Sequence, residues 1–483
     1  MQETSFFWHD YETWGSNPRW DRPAQFAGVR TDLDLNLIGE PVNFYCKPPR
    51  DRLPHPMALV VTGISPQYAD EQGLIEADFF AEVHRHLSEP GTCGVGYNSI
   101  RFDDEVTRYG LYRNFRDPYG REWQNQCGRW DIIDMLRLTR ALRPEGINWP
   151  VREDGAPSFR LDQLTVANHI EHGAAHDALA DVYASIALAR LVRQRQPKLY
   201  QYVFEHKDKA AARKLLDLSQ KTLLLHVSGM FPAERGSIAP VMPLLQHPSN
   251  NNGIVVCDLT QDPRAWLDLP AEDITRLLYT SQSDLAENEQ RPALKTVHLN
   301  KCPVLVPLNT LTDSARREWS IDLQQAEDHR QRLLAAMAGL TPKLLEVFSA
   351  NPFGPETDPE QALYQGFIDN AERKRCDLVL QLSENPEALA TTRIPFKDPR
   401  LPELLFRYRA RNWPHSLKSE EQQRWHQLCR QHLQQGELSG EALQSEIARL
   451  SQERPDRAAV LASLLDWAEL LHAEAEGSAN EHK

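Results

Sequence analysis

Ser5-Phe6-Phe7-Trp8-His9-Asp10-Tyr11-Glu12-Thr13 is the stretch on which the fold reading turns. Residues 5–8 are aromatic and strand-like, and they lead straight into Asp10-Tyr11-Glu12. Side chains alternate along a strand, so Asp10 and Glu12 share a face at the end of the predicted strand. Carboxylates that close repel one another unless a cation lies between them. An all-oxygen donor set of this kind suits Mg²⁺ or Mn²⁺. An acid-x-acid pair alone is also what an ordinary solvated strand end looks like.

Further elements alternate outward from this run. Residues 41–46 and 92–97 read as strands, and 76–87, 103–112, 130–142 and 177–195 as helices. That alternation predicts an α/β region over residues 1–190. Two more acidic elements lie in it. Gly96-Tyr97-Asn98-Ser99-Ile100-Arg101-Phe102-Asp103 runs from a strand end to a helix start, with Asp104 and Glu105 following. Acids are favoured at helix N-termini, which is the plain reading of all three. His169-Ile170-Glu171-His172-Gly173-Ala174-Ala175-His176-Asp177-Ala178-Leu179-Ala180-Asp181 opens the next helix, and its alanines would let a bulky substrate come close.

Together the elements read Asp-x-Glu, then Asn-x₃-Phe-Asp, then His-x₄-Asp. This set resembles the DEDDh family of 3′→5′ exonucleases, through Asp10, Glu12, Asp103, His176 and Asp181. The resemblance implies a ribonuclease H-like fold. It implies two Mg²⁺ ions, with Mn²⁺ a plausible substitute. Asp10 would bridge both ions, Glu12 and Asp181 would complete one site, and Asp103 would bind the other. His176 would be the general base, while Thr13 and Glu12 would meet the terminal 3′-OH. The chain runs about 290 residues past such a domain. With Ser228-Gly229-Met230-Phe231, Asn300–Leu305 and Tyr408–Pro414 it is similar to bacterial exonuclease I, which is specific for single-stranded DNA. That likeness implies an SH3-like β-rich domain over 196–350 and a helical domain over 352–483 completing a DNA cleft. It also implies processive digestion to 5′-mononucleotides in DNA repair and recombination, and binding of the C-terminal tail of single-stranded DNA-binding protein. Alternatives are an exoribonuclease with the same chemistry or a non-catalytic single-strand-binding scaffold.

The remaining texture agrees with those textures in outline. Residues 223–228, 253–259 and 297–307 are β-like, and 201–216 look helical and basic. A breaker cluster, Asn351-Pro352-Phe353-Gly354-Pro355, precedes helical patterns at 422–434 and 458–475. Residues 108–123 interleave Arg108, Arg113, Arg116 and Arg121 with Tyr109, Tyr112, Phe115, Tyr119 and Trp123. Guanidinium groups for phosphates beside rings for bases make a single-strand-binding composition. Arg108, Tyr119 and Trp123 are the DNA contacts expected from it, with Arg137 and Arg160 as further phosphate candidates. Of the 483 residues 41% are hydrophobic and 25% charged, a globular balance with a net charge of −14. Residues 191–230 alone are basic, with eight Lys/Arg against three Asp/Glu. Seven scattered cysteines without CxxC pairs point to a reduced, cytoplasmic protein. No apolar run is long enough for a membrane span and the N-terminus lacks a basic leader, so no membrane association is expected; a monomer is expected as well.

Overall fold

The computed structural model describes residues 4–173, 177–350, 354–436 and 439–477. They fold into two compact units. One takes in the described residues up to 129, within 172–186 and from 355 on; the other those within 130–171 and 187–354.

The first unit is built on strands β1 (Ser5–Thr13), β2 (Pro23–Thr31), β3 (Leu37–Tyr45) and β4 (Thr92–Gly96), which with β5 (Gly128–Asp131) form a sheet in the order β3-β2-β1-β4-β5. β1 is antiparallel to β2 and parallel to β4. It is longer than the sequence suggested, so Asp10 and Glu12 lie within the strand rather than beyond it. Alternation along β1 sorts its side chains. Phe7 and Tyr11 join Phe26, Phe79, Phe80 and Val83 in one apolar core. The partner of that face is the helix Glu76–Leu87, whose apolar residues recur with helical spacing. Helix Asp103–Arg113 crosses close to it at Gly110. A Cβ there would sit 1.9 Å from Phe80 Cζ, so only glycine permits the approach.

The helices after residue 355 share cores with the first 129 residues instead of standing apart. Leu443, Ile447, Leu450, Leu461 and Leu464 pack with Trp14, Ala24, Leu59 and Val60. Leu363, Val379, Leu401 and Leu404 pack with Tyr109, Tyr112 and Phe115. A buried ion network crosses the same junction. Glu360 accepts from Arg22 Nη2 (3.1 Å), Arg407 Nη1 (3.2 Å) and Arg411 Nη2 (2.9 Å). Asp51 accepts from Arg411 Nε (3.0 Å) and Arg52 Nη2 (3.0 Å), and lies 3.2 Å from His432 Nδ1. Burial would raise both carboxyls, but Arg411 and its neighbours outweigh it and hold both well below the usual range.

The second unit carries an antiparallel sheet of β6 (Leu224–Val227), β7 (Ile238–Gln246), β8 (Gly253–Asp258), β9 (Leu294–His298) and β10 (Val304–Pro307), in the order β10-β6-β7-β8-β9. Sequence patterning finds all of these except the central β7. Pro240 and Pro243 argue against a central strand; the ladder with β8 shifts register between Pro243 and Leu245, while Pro240 pairs in step with Leu225 of β6. The region read as β-rich also holds a helix of 27 residues, Leu323–Ser349. Two helical readings need correction. Trp130 and Asp131 belong to β5, and Asp131 Oδ1 accepts the Ile133 N–H at 3.0 Å just ahead of the helix Ile133–Leu142. Residues 201–216 lie in two helices, Pro197–Glu205 and Lys209–Leu215, because Asp208 caps a new start through the Ala211 N–H. Among the described residues no helix is long and apolar enough to cross a membrane.

Replacing Glu360→Gln leaves several buried guanidinium groups short of their counter-charge. Breaking such a pair from one side costs about 3–5 kcal/mol. We expect the midpoint of guanidinium unfolding to fall accordingly for this variant, with the slope unchanged.

Candidate active site

β1 and β4 remain paired as far as Trp8 and Val95. Beyond that point β1 runs on beside β2, with Asp10 opposite Ala27 and Glu12 opposite Gln25. The chain leaving β4 turns through Asn98, in the left-handed region, into the helix Asp103–Arg113. Asp103 Oδ1 then accepts the Tyr11 N–H at 3.2 Å. A carboxylate thus stands where the neighbouring strand has ended. Thr107 supports the pair from one turn on. Its hydroxyl donates to the Asp103 carbonyl (2.8 Å) and meets the Tyr11 hydroxyl at 2.9 Å.

Asp181 enters from the first turn of the helix Ala178–Arg195. Oxygens of Asp10, Glu12 and Asp181 lie within 4.8 Å of one another. Burial, then Asp103, Glu12 and Asp181, push the Asp10 carboxyl well above its usual value. Burial, then Asp181, Asp103 and Asp177, push Glu12 up to about 9. Such a group cannot carry its full negative charge alone, and a hard divalent cation is the counter-charge its oxygens fit. His172 Nε2 lies 2.5 Å from Asp181 Oδ1. Sequence reading passed over this histidine, although it stands in the His169–His176 stretch. His176 itself lies outside the described residues.

The other expected contacts separate. Thr13 is buried at the end of β1, and its hydroxyl donates to the Gly15 carbonyl at 2.6 Å. Trp123 is 68% exposed. The Arg160 side chain is exposed and pairs with Asp162, Nη2 to Oδ2 at 3.0 Å. Arg137 pairs with Asp134 at 2.6 Å and lies over Phe159, and its guanidinium packs against Gly229. Tyr119 is half-buried, against Phe367 and beneath Arg108. Arg108 corrects the surface reading. It is 3% exposed, and Glu122 grips it twice, at Nε (2.7 Å) and Nη2 (2.8 Å). Arg113 and Arg121 are equally buried. Interleaved Arg and aromatic residues here mark an ionic interior as much as a surface.

The raised Glu12 carboxyl dictates a pH dependence. Its folded value, about 9, lies above the 4.5 of an ordinary glutamate. The folded protein therefore holds the proton more tightly. The resulting stability is complete below pH 4.5 and is lost as pH rises through about 9. In EDTA, the thermal midpoint should fall across that window. Glu12→Gln should flatten the decline, and Mg²⁺ or Mn²⁺ should offset it. A wild-type midpoint in EDTA that holds steady or climbs with pH would contradict the assignment.

Comparison with known proteins places this geometry. The profile described as Exonuclease matches residues 7–189, Exonuclease I SH3-like domain matches 207–350, and Exonuclease I C-terminal domain matches 357–471. Exodeoxyribonuclease I of Escherichia coli K12 is 46% identical over 97% of this chain and 98% of its own length. That of Haemophilus influenzae is 43% identical over 97% and 98%. A structure of E. coli exonuclease I in complex with a dA16 oligonucleotide matches with TM-score 0.91 and 45% identity, over 97% of this chain and 100% of that one. A zinc-ion-bound E. coli ExoI–ssDNA complex matches with TM-score 0.90 and 44% identity, over 97% and 99%. An SSB/exonuclease I structure with the inhibitor CFAM matches with TM-score 0.89 and 43% identity, over 97% and 100%. Identity of this extent along nearly the whole length means that the chain belongs to the exodeoxyribonuclease I family.

Proposed function

We propose that the 3′→5′ hydrolysis of single-stranded DNA characteristic of this family is carried out here by Asp10, Glu12, Asp103, Asp181 and His176. The observation carrying the assignment is the convergence of the Asp10, Glu12 and Asp181 oxygens within 4.8 Å, with Asp103 raising the Asp10 carboxyl further. The activity depends on a divalent cation. We take the physiological ions to be two Mg²⁺, with Mn²⁺ as a substitute. Asp10, Glu12 and Asp181 would hold one ion, and Asp10 with Asp103 the other. Bound there, the metals supply positive charge that makes water a stronger nucleophile at neutral pH and steadies the departing oxygen.

The chain's own groups do the rest. Glu12 and Thr13 meet the terminal 3′-OH. Because the Thr13 hydroxyl already donates to Gly15, it receives a hydrogen bond from the sugar rather than giving one. The ring of His176 accepts the proton of the attacking water, a task suited to an imidazole near pH 7. His172 restrains Asp181 through the contact of its Nε2 with Asp181 Oδ1. Cleavage of the bond between phosphorus and the preceding 3′ oxygen releases a 5′-mononucleotide.

Trp123, Tyr119, Arg137 and Arg160 are proposed as strand contacts. The exposure of Trp123 and Arg160 favours a stacking and phosphate-binding role for them. Relatives seen with DNA and with SSB support single-stranded DNA as substrate and single-stranded DNA-binding protein as a partner, which we take to engage through its C-terminal tail. We further propose processive action, as a monomer, in repair and recombination.

The test uses 5′-labelled single-stranded DNA with Mg²⁺ or EDTA. Wild type should give a ladder shortening from the 3′ end, absent in EDTA. Asp181→Asn should lower kcat by at least about 10²–10³-fold, the scale set by losing one preorganised electrostatic contact. Undiminished digestion by that variant would remove Asp181 from the site.

A further inference from the structure

The helix Asp103–Arg113 begins with three consecutive acids and has no side-chain cap from Phe102. Each acid is committed differently. Asp103 Oδ1 takes the Tyr11 N–H. Glu105 Oε1 takes Arg108 Nη1 at 3.0 Å, and its Oε2 takes the Tyr364 hydroxyl at 2.6 Å. Asp104, 2% exposed, is gripped from two sides: Oδ1 accepts from Arg121 Nη2 at 2.5 Å, and Oδ2 from Arg129 Nη1 at 2.9 Å. Both arginines are buried. Arg129 continues to Glu122 Oε1 at 3.3 Å, and Glu122 holds Arg108. An ionic chain thus runs from β5 through the 3₁₀ turn Gly120–Glu122 to the helix start.

Successive helical residues are about 100° apart around the axis. Clamping residue 104 between two arginines therefore sets the direction in which residue 103 projects. A buried ion pair is a poor route to stability, since apolar residues of like volume often serve as well. What it supplies is directional restraint. We propose that Asp104 is a positioning residue for the reaction: through Arg121 and Arg129 it orients the helix start so that the Asp103 carboxylate stays on the Tyr11 N–H and faces the acids of β1. The inference rests on Asp103 belonging to the cation site.

The experiment compares Asp104→Asn, Arg129→Lys and Asp103→Asn with wild type, well below their unfolding midpoints. It reads kcat and KM on an oligothymidine, and Mn²⁺ binding by calorimetry without DNA. For Asp104→Asn we expect kcat to fall about 10–100-fold, KM to stay within about threefold, and Mn²⁺ binding to weaken about 10–100-fold, as for lost outer contacts of a metal ligand. Arg129→Lys keeps a charge at the site and should shift the same quantities less. Wild-type kcat and Mn²⁺ binding in Asp104→Asn, with only its unfolding midpoint lowered, would overturn the proposal. If Asp103→Asn also left both unchanged, the reading of the site itself would fall. If Asp103→Asn alone abolished them, only the role of Asp104 would.

Discussion

Mutual repulsion among Asp10, Glu12, Asp103 and Asp181 is the constraint to which the first unit is built. Nothing in apolar packing would gather four carboxylates, and burial makes their charge costlier still. The fold answers with rigidity. Asp10 and Glu12 are pinned by a strand hydrogen-bonded to β2, Asp103 by a backbone amide that β4 leaves open, and Asp181 by the first turn of an 18-residue helix. These supports lie on regular elements, so the acids cannot drift apart to relieve the strain between them. The site is in that sense preorganised for a cation.

The same unit shows how differently proteins use a buried acid. Asp10 and Glu12 face one another without a cationic side chain among the causes of their shifts, and both are pushed toward neutrality. Asp51, Asp104 and Glu360 are just as buried, yet arginines keep them charged. Asp103 and Asp104 are adjacent in sequence, yet Asp103 takes the Tyr11 N–H and helps raise Asp10, while Asp104 lies between Arg121 and Arg129. Neighbouring identical residues thus find different partners because the helix aims them apart.

Much of this was legible in the sequence. The three acidic elements carried their own order and spacing, and the helix 458–475 was found with its limits, since its leucines repeat with helical period. Chain-distant pairing was not legible. No local signal announces that Arg108 will be gripped by Glu122, or that Asp104 belongs to Arg121 and Arg129. The prolines of β7 were a misleading local signal, because sheet pairing on both sides overrode them. Residues 323–349 show helical spacing at Ala326, Leu333, Leu340, Leu344 and Val347, but it was masked by the β-like texture of the residues before it. His172 was hidden by a more conspicuous histidine four positions on.

The Glu360 network also bears on how the chain is made. Arg22 and Arg52 emerge early from a ribosome, whereas Glu360, Arg407 and Arg411 emerge late. At about 5–20 residues per second, the interval between residues 52 and 360 is roughly 15–60 s. Throughout it, the early arginines have no Glu360 to neutralise them, and Trp14 and Leu59 lack the late leucines that cover them. The strand that carries Asp10 and Glu12 thus belongs to a unit completed by residues more than 300 positions later in the chain. A nascent polypeptide therefore closes the core around Trp14 and Leu59 only after Leu464 has been added.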